Sequence, residues 1–192
     1  MKRKTAMIGW CLGTALLLAA CAAQPRLSGT IRGSTYTSAR GEFSVGFPVS
    51  AEVGGRIASD TAESVTFRDN WGSRITYSSV VFTAQSSMMS MLEGQGREKA
   101  LDEFVRRQFG DVGKIHYHAP AREGTVSFIY LRPVGPKTGV AAFIQGRRIY
   151  VVETDLLPGV QMLAQGDERS QSEREEWLEN RAVELAQSIE VK

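Results

Sequence analysis

The chain has only two histidines, and His116 and His118 stand two residues apart. On a strand, positions i and i+2 project from the same face. That spacing can offer two imidazole nitrogens to one metal ion. A catalytic zinc would need a third protein ligand, and Glu153 or Asp155 on a neighbouring strand are the candidates. The simpler interpretation, and the expected one, is a polar strand face in water with Ile115 and Tyr117 turned inward. Met88, Met89 and Met91 are a second cluster, since thioethers are soft ligands that suit copper(I). Methionine more commonly fills irregular gaps at the edge of a core, and that role is expected here. No metal or other cofactor is therefore assigned.

Nucleophilic catalysis by serine needs a histidine base that a carboxylate orients. No serine lies in a Gly-x-Ser-x-Gly elbow, and both histidines sit on one strand. Phosphate-cradling glycine loops are missing. Paired carboxylates of the glycosidase kind have no motif behind them. Glu175, Glu176 and Glu179 read as the solvated face of a helix. The expectation is a protein with no catalytic residues. Three candidates for partner contact remain. Trp71 stands in a predicted turn, where an aromatic ring either folds back on the sheet or marks a binding patch. Arg147 and Arg148 follow Gly146 and are either solvated turn residues or contacts to anionic groups.

The first residues set an address. Met1-Lys2-Arg3-Lys4 is basic, and a mostly apolar run follows from Ala6 to Ala20. At roughly fifteen residues it is short of the ~20 that span a bilayer. A basic start, a short apolar stretch and small residues make a secretory signal. It ends in Leu18-Ala19-Ala20-Cys21, which resembles the lipobox of bacterial lipoproteins at all four positions. The resemblance implies lipidation of Cys21, cleavage before it, and a membrane anchor of several acyl chains. Ala22, where an Asp would retain an enterobacterial lipoprotein at the inner membrane, implies the outer membrane, facing the periplasm.

Of 192 residues, about 172 remain after the signal, the size of one domain. The hydrophobic share of 42% supports a core, and loss of Lys2, Arg3 and Lys4 takes the formal charge from +2 to −1. No net basic charge remains to draw nucleic acid. Cys11 leaves with the signal and Cys21 is acylated, so no thiol or disulfide is expected. The expected organisation is a signal over 1–20, a lipidated tether over 21–34 and a single domain over 35–192.

Within the domain, Phe43, Val45 and Phe47 alternate with polar or small residues, which predicts a strand over 42–47. Further strands are predicted over 64–68 and 74–82, with a bulge in the second to explain a phase slip. Others follow over 112–118, 125–132, 139–144 and 149–155. Leu101, Phe104, Val105 and Phe109 predict an amphipathic helix over 98–109. Leu178, Ala182, Leu185, Ala186 and Ile189 predict another over 173–188, opened by a capping box of Ser172 and Glu175. The 158–171 stretch reads as a polar connection. Strands joined by short turns must be antiparallel. The fold class is therefore α+β, an antiparallel sheet flanked by helices.

Gly41-Glu42-Phe43-Ser44-Val45-Gly46-Phe47-Pro48, the Val65-Thr66-Phe67-Arg68-Asp69 strand, Gly146-Arg147-Arg148-Ile149-Tyr150-Val151-Val152 and the last helix together resemble the PsbP-like α/β/α sandwich family. The likeness covers roughly residues 36–191. It implies an accessory or assembly factor with no catalytic residues and an envelope protein as partner. The alternatives are a periplasmic small-ligand or metal-binding module on the His116/His118 face, and an envelope hydrolase with a carboxylate site.

Overall fold

The computed structural model describes residues 27–47, 56–69, 73–82, 95–118, 124–133, 135–155 and 171–192. The signal segment, Cys21, Trp71, the three clustered methionines and positions 158–170 lie outside the described residues. In chain order the elements are β1 (Thr30–Arg32), β2 (Thr35–Thr37), β3 (Phe43–Gly46), β4 (Arg56–Asp60), β5 (Ser64–Arg68) and β6 (Arg74–Val81). Then come α1 (Gln95–Phe109), β7 (His116–His118), β8 (Thr125–Tyr130), β9 (Thr138–Gln145), β10 (Arg148–Asp155), α2 (Gln171–Gln187) and β11 (Glu190–Val191).

The larger sheet has the order β4-β5-β6-β10-β9-β8-β7, and every neighbouring pair is antiparallel. Its two faces bury different sets of residues. One face carries Val126, Phe128, Val140, Ala142, Ile149 and Val151, which pack under Leu101 and Val105 of α1. The other carries Val65, Phe67, Ile75, Tyr77, Ala141, Phe143 and Val152, which pack under Ala182, Val183, Leu185 and Ala186 of α2. A small sheet of order β1-β2-β3-β11 lies beside α2 and adds Tyr36, Phe43 and Val45 to that core. Helix, sheet and helix thus stack as the alternating pattern of the strands and the stripes of the helices demand. Among the described residues, no helix is long and apolar enough to cross a membrane.

Several boundaries differ from expectation for identifiable reasons. The stretch expected to be tether up to Ser34 already holds β1, paired with β2 through a two-residue turn in which Gly33 has φ 60°. The Ser28 hydroxyl and the Gly29 amide donate to Asp60, so the folded part begins there. β6 runs through to Val81 with continuous register and no bulge. Ile75, Tyr77 and Ser79 keep the buried parity, while Val80 stays 40% exposed on the other face. The register shift occurs instead in β4, between Ile57 and Ser59. The strand expected from Val112 is ladder-paired only over His116–His118. α2 begins at Gln171, which puts Ser172 inside the helix rather than at its cap. Glu175 serves Gln171 and Lys137 instead.

Tyr36 is fully buried, and its hydroxyl donates to Asp60 Oδ1 at 2.6 Å. Burial, then the Asp60 carboxylate, push the pKa of that phenol well above its usual range. The same carboxylate holds Gly29, so it clasps the start of the domain to β4. Tyr36→Phe is expected to lower stability by about 1 kcal/mol, read as the midpoint of a urea transition.

Candidate functional site

β7 is an edge strand, and its parity decides what the histidines can do. The register pairs His116 with Ser127 and His118 with Thr125, and Ser127 with Ala141. The two imidazoles therefore lie on the α2 face of the sheet. Tyr117 points the other way and is 48% exposed. The expected strand face in water is thus turned over: the histidines look toward the helix and the tyrosine toward solvent. Ile115 does pack inward, against the α1 core.

α2 brings carboxylates to meet them. It settles close over β9 at Gly139, where a Cβ would meet the backbone of Leu178, with the small Ala141 next on that face. Glu179 follows Leu178, which is part of the buried stripe, so its carboxylate overhangs β7 and β8. Glu179 Oε2 lies 2.5 Å from His116 Nδ1 and accepts from the Ser127 hydroxyl at 3.3 Å. His118 Nε2 lies 2.7 Å from the same hydroxyl. A carboxylate only accepts, and a hydroxyl has one proton. The serine proton therefore goes to Glu179, His118 supplies an Nε2–H to the serine, and His116 supplies an Nδ1–H to Glu179. Both tautomers follow from this count of hydrogens.

This is a network of satisfied groups. In a serine nucleophile relay the base accepts the serine proton and a carboxylate orients that base from its far nitrogen. Here the carboxylate faces the serine and the other histidine. Ser127 is also fully buried, leaving no path for a substrate carbonyl. Glu153 and Asp155, the expected third ligands, stand on the α1 face of the sheet. Glu153 binds Arg132 at 2.7 Å, and Asp155 binds Arg74 and the Thr138 hydroxyl, both at 2.8 Å. Among the described residues, no group of three or more His, Cys, Asp or Glu is placed to hold a metal ion.

Around the network lies an open groove of about 820 Å³ between the β7–β8 edge and the first half of α2. Lys137 pairs with Glu175 on one wall, and Val112, Ile129 and Leu131 form an apolar strip. Hydrogen bonds from Lys137 and then Gln171 hold the Glu175 carboxyl below its usual range. Burial lowers the His118 pKa, and the opposing pull of Glu179 does not cancel it. The sign of the resulting pH dependence is fixed. An unfolded His118 takes up its proton near its ordinary value of 6.5, while the folded one resists. Stability is therefore expected to fall as pH drops below about 6.5, and His118→Gln should flatten that slope in thermal melts between pH 7 and 5.

The remaining candidates separate. Arg147 is exposed in the β9–β10 turn, beside Gly146 with φ 60°. Arg148 is largely covered: it pairs with Glu42 and donates to Ser79 at 3.2 Å, tying the small sheet to the large one. Sequence reasoning missed Glu179, Ser127 and Lys137. A signal existed for the first, since it abuts Leu178 in the apolar stripe and so cannot lie on the far side of the helix.

No family model matches the chain, and neither does any curated protein. Among solved structures, the chain is similar to the Ran-binding protein Mog1p of Saccharomyces cerevisiae. Identity is 9% and the TM-score 0.45, over 84% of this chain and 96% of that one. It is also similar to cyanobacterial PsbP (CyanoP) from Synechocystis sp. PCC 6803. Identity is again 9% and the TM-score 0.46, over 92% and 99% of the two chains.

Proposed function

We propose that this protein is a lipid-anchored lipoprotein of the bacterial envelope, and that its domain is a non-enzymatic interaction module. Cys21 carries the lipid, and the outer membrane, facing the periplasm, is its site. The observation that supports this reading best is the groove beside β7. Its central polar side chains, His116, His118, Glu179, Lys137 and Glu175, are already hydrogen-bonded, as in a recognition surface. Leu131, 65% exposed at the groove lip, offers an apolar contact to a partner protein. Tethering raises the local concentration of the module, so a modest interface suffices.

A photo-crosslinker placed at Leu131 in the acylated protein, in its own membranes, tests the proposal. One dominant protein adduct is expected there. A crosslinker at exposed Glu63 should give none, and Cys21→Ser should weaken the Leu131 adduct. Equal adduct patterns at the two positions would sink the proposal. The groove volume lies within the range of small-ligand sites, which favours a ligand-binding module as the second reading. A defined small molecule that raises the melting temperature, with no protein adduct at Leu131, would support it instead.

A further inference from the structure

α1 covers the β8–β9 part of its sheet face, and the β4–β6 part carries a row of arginines. Register pairs Arg56 with Arg68, and Arg68 with Arg74. Like charges directly opposed across antiparallel strands repel. Arg74 is answered by Asp155 at 2.8 Å. Arg56 and Arg68 are exposed, and no carboxylate among the described residues answers them.

The chain also enters the fold at the β4 edge, where the Gly29 amide donates to Asp60. Leu27 and Ile31 are exposed beside it at 37% and 42%. Leu27 is six residue steps from Cys21, a reach of at most about 20 Å. β4 and β7 are the two edges of the large sheet. Six strand spacings put them about 29 Å apart.

We propose that Arg56 and Arg68, with Leu27 and Ile31 at the same edge, dock on anionic phospholipid headgroups, so that the β4 edge meets the bilayer and the groove at the β7 edge faces away from it. The inference rests on the lipidation of Cys21. Two neighbouring guanidinium groups can share one phosphate by charge-assisted hydrogen bonds. The phosphate then supplies the negative charge that the arginine row lacks. The short tether keeps the row within reach of the surface. The apolar residues beside it enter the headgroup layer.

Full-length acylated protein in vesicles tests this. A fluorophore is attached at the exposed β4 bulge through Ala58→Cys, and in a second sample through Tyr117→Cys on β7. A headgroup quencher reads proximity. With anionic phosphatidylglycerol vesicles, strong quenching is expected at position 58 and little at position 117. Neutral vesicles, or 0.5 M salt, should abolish the difference. R56Q/R68Q should weaken docking about 25-fold, at roughly fivefold per arginine near an anionic surface. Both substitutions are on the surface and leave the core intact. An acylated protein whose position-58 quenching ignores lipid charge and R56Q/R68Q overturns the headgroup docking alone. Mass spectrometry that finds no acyl group on Cys21 overturns the anchored reading, and this orientation with it. Should R56Q/R68Q instead abolish a protein adduct while quenching stays unchanged, the row serves an acidic protein, which also overturns the proposal.

Discussion

Replacing Gly139 by alanine is expected to lower the unfolding free energy by about 3 kcal/mol. The reason is space. A Cβ at Gly139 would press on the carbonyl oxygen of Leu178 and come within 2.6 Å of its carbonyl carbon. Those are backbone atoms in the middle of α2, so no side-chain rotation relieves the clash and the helix must lift from β9. Lifting α2 also draws Glu179 away from His116 and Ser127, since Glu179 is the next residue. The substitution should therefore show two linked effects in one protein: a lower urea midpoint and an altered His118 titration by NMR. Gly146→Ala makes a useful contrast. There the backbone is left-handed but nothing crowds the position, so a loss of only about 1 kcal/mol is expected, with the His118 titration unchanged.

A loss of about 4 kcal/mol is expected for Phe67→Ala. Phe67 is fully buried and is the ring that three others share. Tyr36 and Tyr77 approach it edge-on at 6.0 Å, and Phe47 at 5.1 Å. Tyr36 belongs to the small sheet and Phe47 to the end of β3, while Tyr77 belongs to β6. Truncating Phe67 opens a cavity where the two sheets meet, and it also removes three favourable ring contacts. Phe67→Leu keeps most of the volume and should lose less than half as much. Against a typical domain stability of about 5–15 kcal/mol, the alanine variant remains measurable by denaturant melts. Equal losses for the two variants would show that the rings contribute no more than their volume.

The two-residue period of β5 and the apolar stripe of α2 were legible because each buries one face against a single layer, whereas β9 and β10 are buried on both faces. Leu178, Ala182, Leu185, Ala186 and Ile189 are buried as their spacing requires. The α+β class, with a helix on each face of an antiparallel sheet, followed from those patterns. Short elements were harder. β1 and β2 have three residues each, β1 exposes all three and β2 buries only Tyr36, so they are too short for alternation to mark them. The apparent slip in β6 arose from Val80 and Val81, which are apolar yet exposed, and alternation assumes that apolar residues are inside. The candidate site was half legible. The shared face of His116 and His118 followed from spacing alone. Which layer that face meets depends on how β7 joins the edge of the seven-stranded sheet beside β8, and local sequence carries no record of it. Glu179 and Lys137 come to that edge from elements far along the chain, so only the closed fold puts the four groups together.

The final strand has a temporal meaning as well as a structural one. β11 pairs Glu190 with Ser44 and Val191 with Phe43, and the Lys192 amide donates to Glu42 at 3.2 Å. Residues 190–192 thus lie beside β3, whose Phe43 and Val45 enter the core. Contacts between segments so distant in sequence form late and slowly. During vectorial synthesis, β3 waits without this outer neighbour until residues 190–191 emerge, and the small sheet closes only then.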